Sequence, residues 1–429
     1  MTDVSSPDEV TPPAETTKAT KATKATKATE NAQAAEAANP VEPAKKARPR
    51  PAGRSRTKKA APVPKVARGA QSATPLAESA VATATATATA PAPAPAPAVP
   101  TPAVPAARTA PAAAGGPAPV RRIRVVLARD GAALHVVEYG APDAAVTVVL
   151  AHGWTLTHGA WAAPARALTE EAGASVRVVT YDQRGHGRSS SGLARPFSVE
   201  GLAEDLVDVL DATVPSGPVV LGGHSMGGMT IMALAAARPE LFGERVAGVL
   251  LVGTSGGDLV PLAPPFPLRD RLRGRAGMRF FALGERRPSA FARGRRLLPG
   301  PQTKAHLRAV RRGLFGPGAD EAVVRSCAWM IYNTSAEAVC GFFPALAAHD
   351  KSGQLAALSS VPVRIVVGDL DKLTPVGHSK RLAAELAHAD LRIENGCGHM
   401  VLTERPESVT APLRELCRAA AGPSAAPAR

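Results

Sequence analysis

The stretch "PVVLGGHSMGGMTIMALAAA", residues 218–237, places a single serine among glycines between two apolar segments. The first segment is short and rich in valine, which is typical of a buried strand, and the second has the length of a helix. Residues 223–227 fit the pattern G-x-S-x-G, whose serine lies on a sharp turn from strand to helix. Glycines at 223 and 227 leave room for neighbouring backbone at such a turn. The stretch therefore predicts that Ser225 projects from the top of a sheet.

Similar apolar runs recur along the chain and alternate with segments of helical length. Residues 122–128 and 134–140 flank "RDGA" and predict an antiparallel hairpin. The later runs are continuous, which is typical of strands covered on both faces of a parallel sheet. The predicted fold class is α/β, an eight-stranded, mostly parallel sheet with flanking helices. Further strands are predicted near residues 146, 176, 218, 246, 361 and 391, and helices at Trp161–Glu171, Ser198–Thr213, Met226–Arg238, His378–His388 and Pro406–Ala420.

Residues 255 to about 345, between the sixth and seventh predicted strands, interrupt this alternation. The segment from Arg269 to Arg325 holds 15 Lys or Arg against four acidic residues. We expect it to form a helical cap over the carboxyl edge of the sheet, where open α/β sheets bind ligands. Its charge would either attract an anionic acyl substrate or simply be solvated. The second interpretation is preferred because the whole chain is rich in Ala and Arg.

Residues 1–120 differ in composition from residues 121–429, which are predicted to form the folded domain. The N-terminal part consists mostly of Ala, Pro, Thr and Lys and lacks aromatic residues, which predicts a disordered tail. Its basic segment, residues 44–59, could contact nucleic acid or an anionic membrane, but a solvated extension is the preferred interpretation. Recurrent prolines in residues 82–107 argue against a transmembrane segment. With no secretory signal apparent, a cytoplasmic location is expected.

A serine hydroxyl becomes a strong nucleophile only beside a base, and that base is usually oriented by a carboxylate. His399 in "ENGCGHM", residues 394–400, follows the last predicted strand and supplies a candidate base. Asp369 and Asp371 in "VVGDLDKLTP", residues 366–375, follow the strand before it. No spacing of His, Asp, Glu or Cys predicts a metal or cofactor site. Small buried side chains, and not disulfides, are expected at Cys327, Cys340, Cys397 and Cys417.

Together these motifs resemble the α/β-hydrolase superfamily over roughly residues 122–420. Beside the serine turn, "AHGW" at 151–154 resembles the family's loop after the third strand, and "YDQRGHGRS" at 181–189 its D-x-R-G-x-G-x-S segment. The resemblance implies that Ser225 is the nucleophile and His399 the general base. Asp371 matches the family's G-x-x-D pattern and is the expected triad acid, with Asp369 as the runner-up and Asp258 as a distant third.

The resemblance further implies an oxyanion hole formed by the backbone N–H groups of Trp154 and Met226. The implied activity is a cofactor-independent serine hydrolase that cleaves small-molecule esters or thioesters, since dehalogenases and epoxide hydrolases of the family use an aspartate where this chain has Ser225. Carbon-carbon bond hydrolase, aminopeptidase and perhydrolase chemistries stay open, as does a non-enzymatic tethering protein that uses the basic tail. Structural bracing of loops is the expected role of His152, Arg184, His186 and His224.

Overall fold

A single sheet of eight strands runs through the computed structural model, which describes residues 121–193, 197–261, 265–297 and 300–422. The predicted tail, residues 1–120, lies outside the described residues. The strands pair in the order β1-β2-β4-β3-β5-β6-β7-β8. Pairing is antiparallel between β1 and β2 and between β2 and β4, and parallel elsewhere, which confirms the predicted fold class. The strands are β1 Arg121–Leu127, β2 Ala133–Tyr139, β3 Val146–Ala151, β4 Val176–Tyr181, β5 Val219–His224, β6 Val246–Val252, β7 Val363–Gly368 and β8 Asp390–Glu394.

Strand β3 lies where the order of the strands reverses, between β4 on one side and β5 on the other. Val149 is level with Val179 of β4 and with Leu221 of β5. The residues of all three strands are buried, so the continuous apolar runs of the sequence correspond to strands covered on both faces. A crevice forms at such a reversal beyond the carboxyl ends of the strands, and ligands of open α/β sheets bind there.

Helices cover both faces of the sheet and divide the core into two layers. Val149 belongs to the layer under α2, α3 and α10, whereas Val148 and Leu150 belong to the layer under α1 and α12. The helices are α1 Ala162–Ala172, α2 Val199–Thr213, α3 Met226–Ala237, α4 Leu241–Glu244, α5 Leu268–Arg286, α6 Pro288–Arg296, α7 Lys304–Leu314, α8 Glu321–Asn333, α9 Ala336–Ala348, α10 Val376–Glu385, α11 Val401–Glu404 and α12 Pro406–Ala421.

The helices α5 to α9 lie between β6 and β7 in the chain, which confirms the predicted helical cap. Helix α5 packs closely on α9, where Phe281 stacks on Phe343 with ring centroids 4.1 Å apart. Arg295 departs from the expectation that the cap arginines are simply solvated. Its guanidinium donates hydrogen bonds to backbone carbonyls at the end of α8, including that of Thr334 at 2.8 Å. Carbonyls in the last turn of a helix have no acceptor role within the helix, so Arg295 supplies their hydrogen-bond donor.

The predicted helix ends agree with the structure within about two residues, except for the C-terminal end of α10. That helix begins at Val376, directly after Pro375. It ends at Glu385 instead of His388. All four cysteines are buried and free, as expected. Among the described residues, no helix has the length and apolar character needed to span a membrane.

Removal of the Ser198 hydroxyl is expected to destabilise the fold modestly. The hydroxyl oxygen accepts the backbone N–H of Gly201 at 3.0 Å and caps the start of α2. We expect Ser198→Ala to lower the free energy of unfolding by about 1 kcal/mol, as measured by urea denaturation. Ser359→Ala, at an exposed serine, is the control. Equal stability of the two variants would contradict the capping role.

Candidate active site

Ser225 lies at the turn between β5 and α3 with a backbone conformation that residues other than glycine rarely adopt, φ 52° and ψ −114°. Such a conformation typically costs about 1–3 kcal/mol and persists only where the surroundings hold it. The backbone N–H of Ser225 donates to the carbonyl of Val252 at 2.9 Å. The carbonyl of Ser225 accepts from Thr254 Oγ1 at 2.7 Å. The turn is therefore held by hydrogen bonds to the last residue of β6 and to the segment directly after it.

The glycines around Ser225 make this turn sterically possible. A Cβ at Gly223 would overlap the carbonyl of Gly227, and a Cβ at Gly227 would overlap the carbonyl of Ala151 at the end of β3. A Cβ at Gly153 would lie 3.2 Å from Ser225 Cβ. The loop after β3 therefore leaves no room for a side chain at Gly153.

His399 and Asp371 form a buried pair on loops at the same edge of the sheet. His399 Nδ1 lies 2.8 Å from Asp371 Oδ2. Asp371 Oδ1 also accepts the backbone N–H groups of Leu373 at 2.8 Å and Thr374 at 2.9 Å, and its Oδ2 accepts Thr374 Oγ1 at 2.8 Å. Burial alone would raise the pKa of Asp371, but His399 and these donors more than offset it and lower the pKa below its ordinary value. Because Nδ1–H donates its hydrogen bond to the Asp371 carboxylate, the lone pair of the neutral His399 ring lies on Nε2.

The other two candidate acids do not contact His399. Asp369 is exposed and accepts the backbone N–H of Gly396 at 2.7 Å, so it braces the loop that leads to His399. Asp258 is exposed and has a positive φ of 55°. Among the described aspartates, only Asp371 is hydrogen-bonded to His399.

His224 connects the serine turn to the histidine loop. Its Nε2 donates to the backbone carbonyl of His399 at 3.0 Å, and the centroids of the two rings are 4.7 Å apart. Burial, together with the nearby His399, lowers the pKa of His224 to about 3. The ring is therefore neutral at pH 7, and it joins the end of β5 to the backbone of the His399 loop as a structural brace.

The two predicted oxyanion donors lie on either side of the turn. Met226 is the first residue of α3, so its N–H has no acceptor within the helix. Trp154 lies in a turn closed by the hydrogen bond from the Leu156 N–H to the Gly153 carbonyl, 3.1 Å. His152 Nδ1 donates to the same Gly153 carbonyl at 2.8 Å, and its Nε2 accepts the N–H of Gln183 at 2.9 Å. This bracing fixes the loop that carries the Trp154 N–H.

The cap places aromatic side chains against Trp154. The centroid of the Trp154 ring system lies 5.9 Å from that of Phe281 on α5 and 5.8 Å from that of Phe343 on α9. Thr334, at the end of α8, donates its hydroxyl to the carbonyl of Thr155 at 3.0 Å. The cap therefore touches the loop beside the serine and gives that side of the site an apolar wall.

Two features, one in the loop of His399 and one outside the serine site, were not predicted from the sequence. Glu404 accepts the N–H groups of Gly398 at 2.9 Å and Gly316 at 2.8 Å, so it joins the loop of His399 to the segment after α7. Burial raises the pKa of Glu404 despite these two donors. The second feature is a cluster of His135, His158 and Asp182, whose nitrogen and oxygen atoms lie within 4.8 Å of one another. Its members come from separate elements, so no spacing along the chain could reveal them.

The chain belongs to the alpha/beta hydrolase family, whose model matches residues 148–412. The fold, the serine turn and the order of the motifs agree with this assignment, so the chain is a member of a hydrolase family.

Several relatives illustrate the range of that family. RutD of Caulobacter segnis, whose name describes a carbamate hydrolase, is 31% identical over 61% of this chain and 87% of its own length. Epoxide hydrolase A of Mycobacterium tuberculosis is 29% identical over 67% of this chain and 94% of its own. A RutD protein of Variovorax paradoxus is matched over only 41% of its length. The structure of a thermophilic esterase from Thermogutta terrifontis superposes with a TM-score of 0.54 at 24% identity, covering 69% of this chain and 98% of the esterase.

The buried neutral histidines are expected to make the fold sensitive to acid. Burial lowers the pKa of His152 and His224 to about 3 and that of His186 to about 4, from an ordinary value of 6.5. The unfolded chain therefore binds more protons than the folded one below pH 6.5, and stability falls as the pH falls. Each such histidine contributes about 1.4 kcal/mol per pH unit to this slope.

Substitution of one of these histidines tests the expectation. Urea denaturation of His186→Gln at a series of pH values measures this contribution. Between about pH 6 and pH 4.5, the free energy of unfolding should decrease less steeply than in the wild type, by about 1.4 kcal/mol per pH unit. An unchanged slope would mean that His186 is protonated in the folded state.

Proposed function

We propose that this protein is a serine hydrolase that cleaves carboxylic ester or thioester bonds through an acyl-enzyme. The observation that carries the proposal is the position of Ser225 on a constrained strand-to-helix turn, joined through His224 to the buried pair of His399 and Asp371. A nucleophile, a base and a carboxylate that orients the base are the parts that this chemistry needs.

In the first half of the reaction, Ser225 Oγ attacks the carbonyl carbon of the substrate and His399 Nε2 accepts the hydroxyl proton. The Asp371 carboxylate, held ionised by its donors, stabilises the imidazolium that forms. The backbone N–H groups of Trp154 and Met226 bind the oxyanion of the tetrahedral intermediate. Loss of one such donor typically costs about a hundredfold or more in rate.

The tetrahedral intermediate then collapses to the acyl-enzyme. The bond between the carbonyl carbon and the leaving oxygen or sulfur breaks, the leaving alcohol or thiol takes the proton from His399, and the acyl group stays on Ser225. The second half of the reaction releases the acid. A water molecule then attacks the acyl-enzyme while His399 Nε2 accepts its proton. Return of that proton to Ser225 Oγ frees the carboxylic acid and restores the enzyme.

The residue at the turn separates this proposal from epoxide hydrolysis. Epoxide hydrolases of the family use an aspartate nucleophile at this position, whereas this chain has Ser225. A carbamate, which also contains a carbonyl carbon, would be attacked in the same way as an ester. The likeness to RutD therefore makes a carbamate the second substrate class to test.

The aromatic wall favours an apolar group beside the reacting carbonyl. Trp154, Phe281 and Phe343 are in mutual ring contact at the point where the cap meets the loop after β3. Aromatic side chains of this kind bind aliphatic or aromatic groups through buried apolar area. We therefore expect substrates with an apolar acyl or alcohol group to react faster than acetate esters of polar alcohols.

Covalent labelling tests the nucleophile. A fluorophosphonate probe should label the purified wild-type protein and leave Ser225→Ala unlabelled, because only an activated serine reacts with it. A panel of activated esters of increasing acyl length, with one thioester and one carbamate, then identifies the preferred bond. Labelling that persists in Ser225→Ala, or its absence from folded wild type, would contradict the proposed acyl-enzyme.

A pair of aspartate variants tests the triad acid. Asp371→Asn should lower kcat by about 10⁴ with little change in KM, because the amide no longer holds the imidazole in the required tautomer. Asp369→Asn, at the exposed neighbour that only braces the Gly396 N–H, is the matched control and should retain activity within a few-fold. The reverse result in steady-state ester hydrolysis would make Asp369 the acid.

A further inference from the structure

We infer that His135, His158 and Asp182 form a binding site for a divalent transition-metal ion of the zinc class, separate from the serine site. Each residue offers one ligand atom, and these atoms all lie within 4.8 Å of one another. Two imidazole nitrogens and one carboxylate oxygen form a donor set that suits zinc, with a fourth position left for water or another ligand. The inference does not depend on the proposed ester chemistry.

The backbone holds the three ligands in place without a metal. His135 is on β2, Asp182 directly follows β4, and the backbone N–H of Asp182 donates to the carbonyl of His135 at 2.9 Å. His158 begins the short 3-10 helix His158–Trp161 after β3, and its backbone N–H donates to Asp182 Oδ1 at 2.7 Å. The three elements therefore meet through hydrogen bonds that a bound ion would leave intact.

An unsatisfied nitrogen on His135 is the second observation that points to a ligand. The residue is 6% exposed, and its Nε2 has no hydrogen-bond partner among the described residues. Its ring lies 5.3 Å from that of His158, centroid to centroid. Buried polar atoms are normally paired, and one without a partner calls for an explanation such as an ion. A metal ion bound among these residues would supply that partner.

The carboxylate of Asp182 is oriented as metal-binding carboxylates usually are, through hydrogen bonds from neighbouring groups. Its Oδ2 accepts the backbone N–H of Arg188 at 2.9 Å, and its Oδ1 lies 2.8 Å from His158 Nδ1. The His158 side chain is 11% exposed, so solvent reaches one member of the cluster.

A bound ion would join β2, the segment after β3 and the loop after β4. That segment also carries Trp154, four residues before His158, and the loop after β4 carries Gln183, which binds His152. Metal binding is therefore expected to stabilise the loop beside Ser225, although the ion would not touch the reacting atoms.

Metal titration of the full-length protein tests the inference directly. After treatment with a chelator, the wild type should bind one equivalent of Zn²⁺ in calorimetry. With Co²⁺ it should show the visible ligand-field absorption of a four-coordinate ion bound by nitrogen and oxygen. Its melting temperature should rise with the concentration of Zn²⁺. Failure of the wild type to bind either ion, or Co²⁺ absorption of a six-coordinate ion only, would overturn the inference.

Three variants assign the binding to these residues. His158→Asn keeps a side-chain N–H that can donate to Asp182 but removes the imidazole, so the dissociation constant for Zn²⁺ should rise at least about tenfold. His306→Asn, at a part-buried histidine on α7, should bind like the wild type. His399→Ala should also bind like the wild type. Loss of binding in His399→Ala but not in His158→Asn would place the metal at the serine site and overturn the inference.

Discussion

The constrained backbone of Ser225 is the feature on which the surrounding structure depends. Its φ of 52° is unfavourable for any residue with a Cβ, so the neighbouring segments have to hold the turn. The carbonyl of Val252 and the hydroxyl of Thr254 bind its two backbone polar groups. The absence of a Cβ at Gly223 and Gly227 allows β3 and α3 to approach. Parallel pairing of β5 with β3 and β6 brings all these segments to one edge, where the turn places Ser225.

Two neutral histidines connect loops around this turn. His152 joins the loop of Trp154 to Gln183, and His224 joins the serine turn to the carbonyl of His399. The neutral imidazole of His152 donates through one nitrogen and accepts through the other, so it links two loops without a charge that burial would penalise. The lowered pKa values of both residues follow from the same burial. Precise placement of the loops and loss of stability in acid thus have one physical cause.

The sequence contained enough information to predict the sheet, the cap and the serine turn, because each produces a local pattern. Strands covered on both faces appear as continuous apolar runs, and the turn needs glycines at fixed offsets from Ser225. The choice between Asp369 and Asp371 depended on a family pattern, since both residues follow β7, and the hydrogen bonding to His399 favours Asp371. Glu404 and the cluster around Asp182 could not be predicted. Their contacts join residues of separate elements, and no local rule relates their positions in the sequence.

Two pairs of aspartate and histidine lie at the carboxyl edge of this sheet, and both have Nδ1 of the histidine 2.8 Å from a carboxylate oxygen. The pair itself therefore does not decide what each site can do. His399 lies beside His224, which directly precedes the constrained Ser225 in the chain, and we propose that this serine completes the first site. His158 lies beside His135, a second imidazole with an unpartnered nitrogen. A serine as the third member favours proton transfer and acyl chemistry, whereas a histidine as the third member favours coordination of a metal ion.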